Sequence, residues 1–195
     1  MPPMLASLNP GWLLILAGVA SLFITARQVR QAVTIAVPMI GLALLVTATP
    51  NVDLASADIL GLKLVLYRVD GLNFVFSLAF LIAALLNAIY ALHTDDRIQD
   101  GMALAYGGAA VSATLGGDLM TLFVFWELTA VTSVFMILRA QTRASYQAAM
   151  RYLGVQVLSG VLLLKLNRPV SVTMAVKIAS AAAWFSGMPA SFNTL

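Results

Sequence analysis

Long apolar runs broken by short polar interruptions dominate the chain, and crossing about 30 Å of hydrocarbon as a helix takes roughly 20 such residues. Six runs approach that length: Pro10 to Ala26, Ala32 to Thr49, Gly71 to Leu92, Met102 to Gly117, Leu119 to Leu138 and Gln147 to Leu164. The first is slightly short and needs a locally thinner bilayer or help from its flanks. Only helices and closed barrels satisfy their backbone within lipid. The expected fold is therefore all-α and transmembrane, with about six membrane-spanning helices.

The joints between runs are equally legible. Arg27 to Gln31 reads as a short basic turn, and His93 to Asp100 as a charged loop ending at Gly101. At Gly116-Gly117-Asp118 the glycines are suited to end one helix in the left-handed conformation and the aspartate to cap the next. Ile59 to Val69 alternates around Gly61, with Lys63 and Arg68 on the polar side, which predicts a short extramembrane hairpin between the second and third spans. Asp70 then caps the third span. On the fourth, Ala103, Gly107, Ala110, Thr114 and Gly117 form a small-residue face for close packing. Pro38 removes a backbone donor from the second span and favours a bend there. Residues 1–164 are expected to form the helical bundle and 165–195 a divergent tail, interfacial or frameshifted.

Composition agrees with this reading. Hydrophobic residues make up 61% of the 195 and charged residues 10%, far from the balance of a water-soluble domain. The net charge of +3 fits membrane topology signals better than nucleic-acid binding. Arg27, Arg30, Arg97, Arg139, Arg143 and Arg151 fall at one set of helix ends, against Lys63, Arg68, Lys165 and Arg168 at the other. That bias favours an external N-terminus and an internal first loop, in the plasma (bacterial inner) membrane. No basic residue precedes the first apolar run and no cleavage pattern follows it, so the first helix is expected to remain. The chain contains no cysteine and only His93, which excludes thiol chemistry and histidine-rich metal sites. It has no flavin or dinucleotide fingerprint, so neither cofactor, metal nor redox chemistry is expected of it.

One residue breaks the apolar pattern. Glu127 lies near the middle of the fifth span, about 12 Å from its capped end at 1.5 Å per residue. An ionised group at that depth costs on the order of 3 kcal/mol, which the eleven Leu, Ile, Val and Phe residues of the span offset. Met120, Phe123, Val124, Ala130, Val131 and Val134 surround its face, so its own helix offers no polar neighbour. Such a carboxyl suits a proton relay; a fixed ion pair or a hydrogen-bonded neutral Glu that only orders the bundle is the bland alternative. Asn87, Ser112, Thr114, Thr132, Ser133, Gln156 and Ser159 are expected to hydrogen-bond between helices, and His93 to be a solvated loop residue.

Gly117-Asp118-Leu119-Met120-Thr121-Leu122-Phe123-Val124-Phe125-Trp126-Glu127 resembles the fifth-helix signature of the antiporter-like, proton-conducting membrane subunits. These comprise the large membrane-arm subunits of complex I, the NADH-quinone oxidoreductase, and their counterparts in Mrp-type cation/proton antiporters. Val69-Asp70-Gly71-Leu72-Asn73, Met150-Arg151-Tyr152-Leu153 and Val155-Gln156-Val157-Leu158-Ser159-Gly160 support the resemblance, which is closest to the D-type branch of the Mrp Na+/H+ antiporters. It implies that Glu127 is the family's intramembrane glutamate, paired with a lysine on a later helix. It also implies about fourteen helices in two inverted repeats, of which this chain supplies the first six, so that it is incomplete relative to the family. The implied partners are other membrane subunits and the lipid bilayer, and the transported ions protons and a cation such as Na+. From Lys165 onward the pattern departs, and Lys177 in the apolar stretch Val172 to Gly187 does not match the family's lysine motif. A noncatalytic scaffold or truncated pseudogene product is the alternative; an independent channel fits less well, because no ring of charges or filter-like loop occurs.

Overall fold

The structure, a computed structural model, describes residues 8–48, 53–59 and 62–166. In chain order the elements are α1 (Pro10–Ser21), α2 (Arg27–Thr47), β1 (Asp53–Ile59), β2 (Leu62–Arg68), α3 (Gly71–Tyr90) with a 3-10 turn over Ala91–His93, α4 (Arg97–Leu115), α5 (Leu119–Leu138) and α6 (Arg143–Leu166). Lys177 and the tail beyond residue 166 lie outside the described residues.

Small residues decide which helices touch. α1 and α4 run antiparallel, with Gly11 against Gly108 and Gly18 against Gly101. A Cβ on Gly11 would stand 2.4 Å from the Gly108 carbonyl oxygen, and one on Gly18 would stand 2.6 Å from that of Gly101. Backbones can approach this closely only without side chains between them. The anticipated face of α4 serves a different neighbour. A Cβ on Gly107 would lie 3.1 Å from that of Ala84 on α3, and the Thr114 hydroxyl bonds Ser77 of the same helix at 2.7 Å. Large apolar side chains point outward, as Leu72, Val75, Phe76 and Leu86 do on α3, while Ser21, Thr34, Ser77, Ser112 and Thr121 are buried. Leu14, Leu45, Leu81 and Leu115 are buried beside them, so apolar side chains occur both inside and outside, which suits a lipid-facing surface where packing and interhelical hydrogen bonds hold the helices together.

Among the described residues, helices occur where the six apolar runs predict them, and three are long and apolar enough to cross a membrane: Arg27–Thr47, Gly71–His93 and Leu119–Leu138. α1 is apolar but has only 12 residues, because Leu22 to Ala26 leave the helix. Two expected loops are corrected. Arg27 to Gln31 forms the first turn of α2 rather than a separate turn, and α4 begins at Arg97, capped by Asp96, so Asp100 and Gly101 are helical. Pairing makes this possible. The Arg30 guanidinium, 1% exposed, donates from Nε to Asp100 Oδ2 at 2.9 Å and from a terminal nitrogen to Asp95. Gln31 donates to the Leu92 carbonyl at 2.7 Å, and Arg139 at the end of α5 pairs with Asp96.

The opposite end is covered by the expected hairpin, β1 and β2 pairing antiparallel with Asp58 opposite Lys63 and an irregularity near Ala55. Asp70 and Asn73 form a reciprocal cap at the start of α3. The Gly116-Gly117 turn does not use the left-handed region: Gly116 is extended, at φ −66° and ψ 130°. Gly117 is needed for close approach instead, since a Cβ there would lie 2.5 Å from Val65 Cγ1. Asp118 joins the hairpin to α5. Its Oδ1 accepts the Thr121 N–H at 2.8 Å, and its Oδ2 accepts the Val65 N–H and the Thr121 hydroxyl, each at 2.7 Å. Burial alone would push this carboxyl up, but the bonds from Thr121 and Val65 outweigh it and hold the group below the ordinary 3.8. Its stabilisation is therefore complete above that value and is lost as pH falls through its own lower one. Asp118→Ala is expected to lose about 0.5–2 kcal/mol for the cap. Its stability in detergent should also fall less on acidification than that of the native protein; an unchanged pH profile would discount the cap.

Candidate functional site

α5 is tied at both ends, to the hairpin through Asp118 and to the start of α4 through the Arg139–Asp96 pair. Glu127 sits near the middle of α5 and is half-buried, its side chain directed against α6. Oε1 is fully buried and has no hydrogen-bond partner among the described residues. The carboxyl lies where α6 has no side chain: a Cβ on Gly160 would be 2.0 Å from Oε1 and 3.2 Å from Cδ, with Phe123 Cε2 at 2.9 Å. Phe123 and the α6 backbone thus form its immediate walls.

Nearby hydroxyls do not reach the carboxyl. Thr129 donates to the Trp126 carbonyl at 2.6 Å, Thr132 to Leu128 and Thr129 at 3.0 Å, and Ser133 to Thr129 at 2.7 Å. Thr132 and Ser133, expected to link helices, bond their own helix instead, as Ser and Thr commonly do one turn back. Thr114 does link helices, and Ser112 Oγ is buried beside Gly11 without a partner among the described residues. A half-buried carboxyl whose enclosed oxygen has no hydrogen-bond partner among the described residues is open to proton exchange with a mobile or external group.

A second feature is a cavity of about 360 Å³ whose wall is mostly apolar, formed largely by alanines of α3 and α4, with Asn87, Gln99 and Asp100 among its few polar groups and Met136 contributed by α5. Met136 follows Glu127 by nine residues, half a revolution at 3.6 residues per turn, so the two occupy opposite faces of α5. Arg30 compensates Asp100, which makes this carboxylate part of a structural pair. His93 is exposed in the 3-10 turn, its ring edge-on to Tyr90 at 5.2 Å, remote in sequence and end from the α5 midpoint. The sequence singles out Glu127 by its apolar surroundings but marks neither Gly160 as its neighbour nor the Arg30–Asp100 pair. The only local signals were a glycine within an otherwise large-residue run and an arginine next to an apolar span.

Comparison with known proteins adds the family context. Residues 116–166, which span the α4–α5 turn, α5 and α6, match the family model described as NADH:quinone oxidoreductase/Mrp antiporter, TM. A probable K(+)/H(+) antiporter protein of Rhizobium meliloti (strain 1021), its A/B subunit, is 36% identical over 83 residues. That match covers 40% of this chain and spans only 8% of the relative's length. No solved structure matches.

Proposed function

This chain carries the membrane-domain pattern of the NADH:quinone oxidoreductase/Mrp antiporter family over residues 116–166, and from that premise we propose that it contributes Glu127 as a proton relay to a cation/proton antiporter or complex I-like membrane assembly. The observation that supports this most is the buried, unpartnered Oε1 of Glu127 within the matched segment. An acid inside a membrane bundle is costly and needs a compensating role, and transferring protons to a cation supplied by another helix is the role its surroundings leave open. The proposed setting is a multi-pass, D-type antiporter component in a bacterial inner membrane. Other membrane subunits supply the partner lysine and the driving gradient. The relative's name makes K+ the first cation to test, with Na+ as the comparison.

Glu127→Gln keeps the size of the side chain and one carbonyl oxygen, replaces the other oxygen by an NH2 donor, and cannot titrate. Assayed in inverted vesicles containing the complete assembly, with a pH-sensitive dye and a K+ or Na+ pulse, the variant is expected to abolish dye recovery while the chain still co-purifies with its partner subunits. Native exchange by the variant would remove Glu127 from the pathway. Failure of the native chain to co-purify with any antiporter component would favour a scaffold role.

A further inference from the structure

Position 160 differs from the α1–α4 glycines in that side chains of α5, not helix backbone, press against it. Gly160 is buried in α6, and the space its Cβ would occupy is already filled by the carboxyl of Glu127, 2.0 Å away at Oε1. Real Cβ atoms essentially never come within 3.0 Å of another heavy atom. Here the obstructing atoms are the tips of two flexible side chains, Glu127 and Phe123. At Gly108, by contrast, they include the backbone oxygen of Gly11 and the backbone nitrogen of Ile15. A methyl at 160 can therefore be accommodated by rotating Glu127 out of place while the helices stay together.

We infer that Gly160 is a positioning residue for Glu127: its missing side chain leaves a notch in α6 that seats the carboxyl against helix backbone, with Phe123 as the second wall. The inference deepens the proton-relay reading and rests on it for its functional consequence. Seated in the notch, Oε1 is withdrawn from solvent and from other hydrogen-bonding groups among the described residues. Proton exchange then requires either a group that reaches the notch or a rotation that carries the carboxyl out of it. The size of residue 160 sets which position the carboxyl occupies at rest.

The test uses the full chain in membranes containing the assembled complex and a hydrophobic carbodiimide as probe. The reagent adds to a protonated carboxyl: the carboxyl oxygen bonds the central carbon, the proton passes to a carbodiimide nitrogen, and rearrangement leaves a stable acylurea detectable by mass. In Gly160→Ala the carboxyl is displaced from its buried seat, so labelling at Glu127 is expected to rise several-fold. Cation/proton exchange is expected to fall on the order of tenfold to a hundredfold, the usual consequence of moving a reacting group by an ångström or more, with a displaced pH profile. Phe123→Leu opens the other wall without adding a clash and is expected to raise labelling as well, which tests the notch even where the alanine variant accumulates poorly. Labelling no faster than native in both variants would overturn the inference. So would an unchanged rate and pH profile in Gly160→Ala when Glu127→Gln is inactive. Normal exchange by Glu127→Gln would instead refute the relay reading, while the labelling result would still decide whether the notch exists.

Discussion

Arg30→Ala is expected to destabilise the chain by about 3–5 kcal/mol, because it leaves a buried carboxylate without its counter-charge. Arg30 is 1% exposed and Asp100 7% exposed, so in the intact protein the guanidinium and not bulk water compensates the carboxylate. The same substitution releases Asp95, which joins α2 to the segment entering α4. Asp95 itself is 59% exposed, so Asp95→Asn removes only a solvated contact, worth at most about 1 kcal/mol. The double variant Arg30→Met/Asp100→Leu is expected to recover most of the loss, since replacing both members of a buried pair by apolar groups is often neutral. Thermal unfolding of the detergent-solubilised chain checks all three. An Arg30→Ala protein that melts with the native one would show that the pair is not stabilising.

Gly108→Val is expected to have a large packing effect. A Cβ there would stand 2.6 Å from the Gly11 carbonyl oxygen and 2.7 Å from both the Ile15 nitrogen and Leu14 Cβ. Two of these atoms belong to the backbone of α1 and cannot rotate aside, so the helix itself has to retreat. The cost should exceed the roughly 1–3 kcal/mol typical of an overpacked core. Gly71→Ala is the internal control: nothing lies within 4 Å of its Cβ position, and it is expected to be neutral or slightly stabilising. Comparable melting of the two variants would refute the account of the α1–α4 seam.

What could be read from the sequence depended on whether its cause was local. Leu119 to Leu138 is helical where expected because Asp118 and the end of the apolar run mark its limits. The start of α3 was legible from Asp70, and β2 from the alternation after Gly61, whereas β1, Asp53–Ile59, precedes the alternating segment. The errors arose where partners distant in the chain decided the outcome. Arg27 to Gln31 looked like a turn because nothing nearby reveals that Arg30 meets Asp100, seventy residues later. The small-residue stripe on α4 was found, but its neighbour is α3, and the closer approach to α1 uses Gly101 and Gly108 on another face. The candidate site divides in the same way. A carboxyl in an apolar run announces itself, whereas its seat against Gly160 depends on the rotation of α6 about its own axis, which periodicity does not specify.

The seam between α1 and α4 also imposes an order on synthesis. Gly11 and Gly18 leave the ribosome well before Gly108 and Gly101, with two further helices and a hairpin made in between. At 5–20 residues per second, α1 emerges roughly 5–20 s before the surface that completes it. During that interval a 12-residue helix, short for the bilayer, presents a glycine-lined face without its final neighbour. Until α4 arrives, α1 has to be retained by the insertion machinery or by provisional contact with α2, and slowing translation after α3 should expose it to membrane proteases.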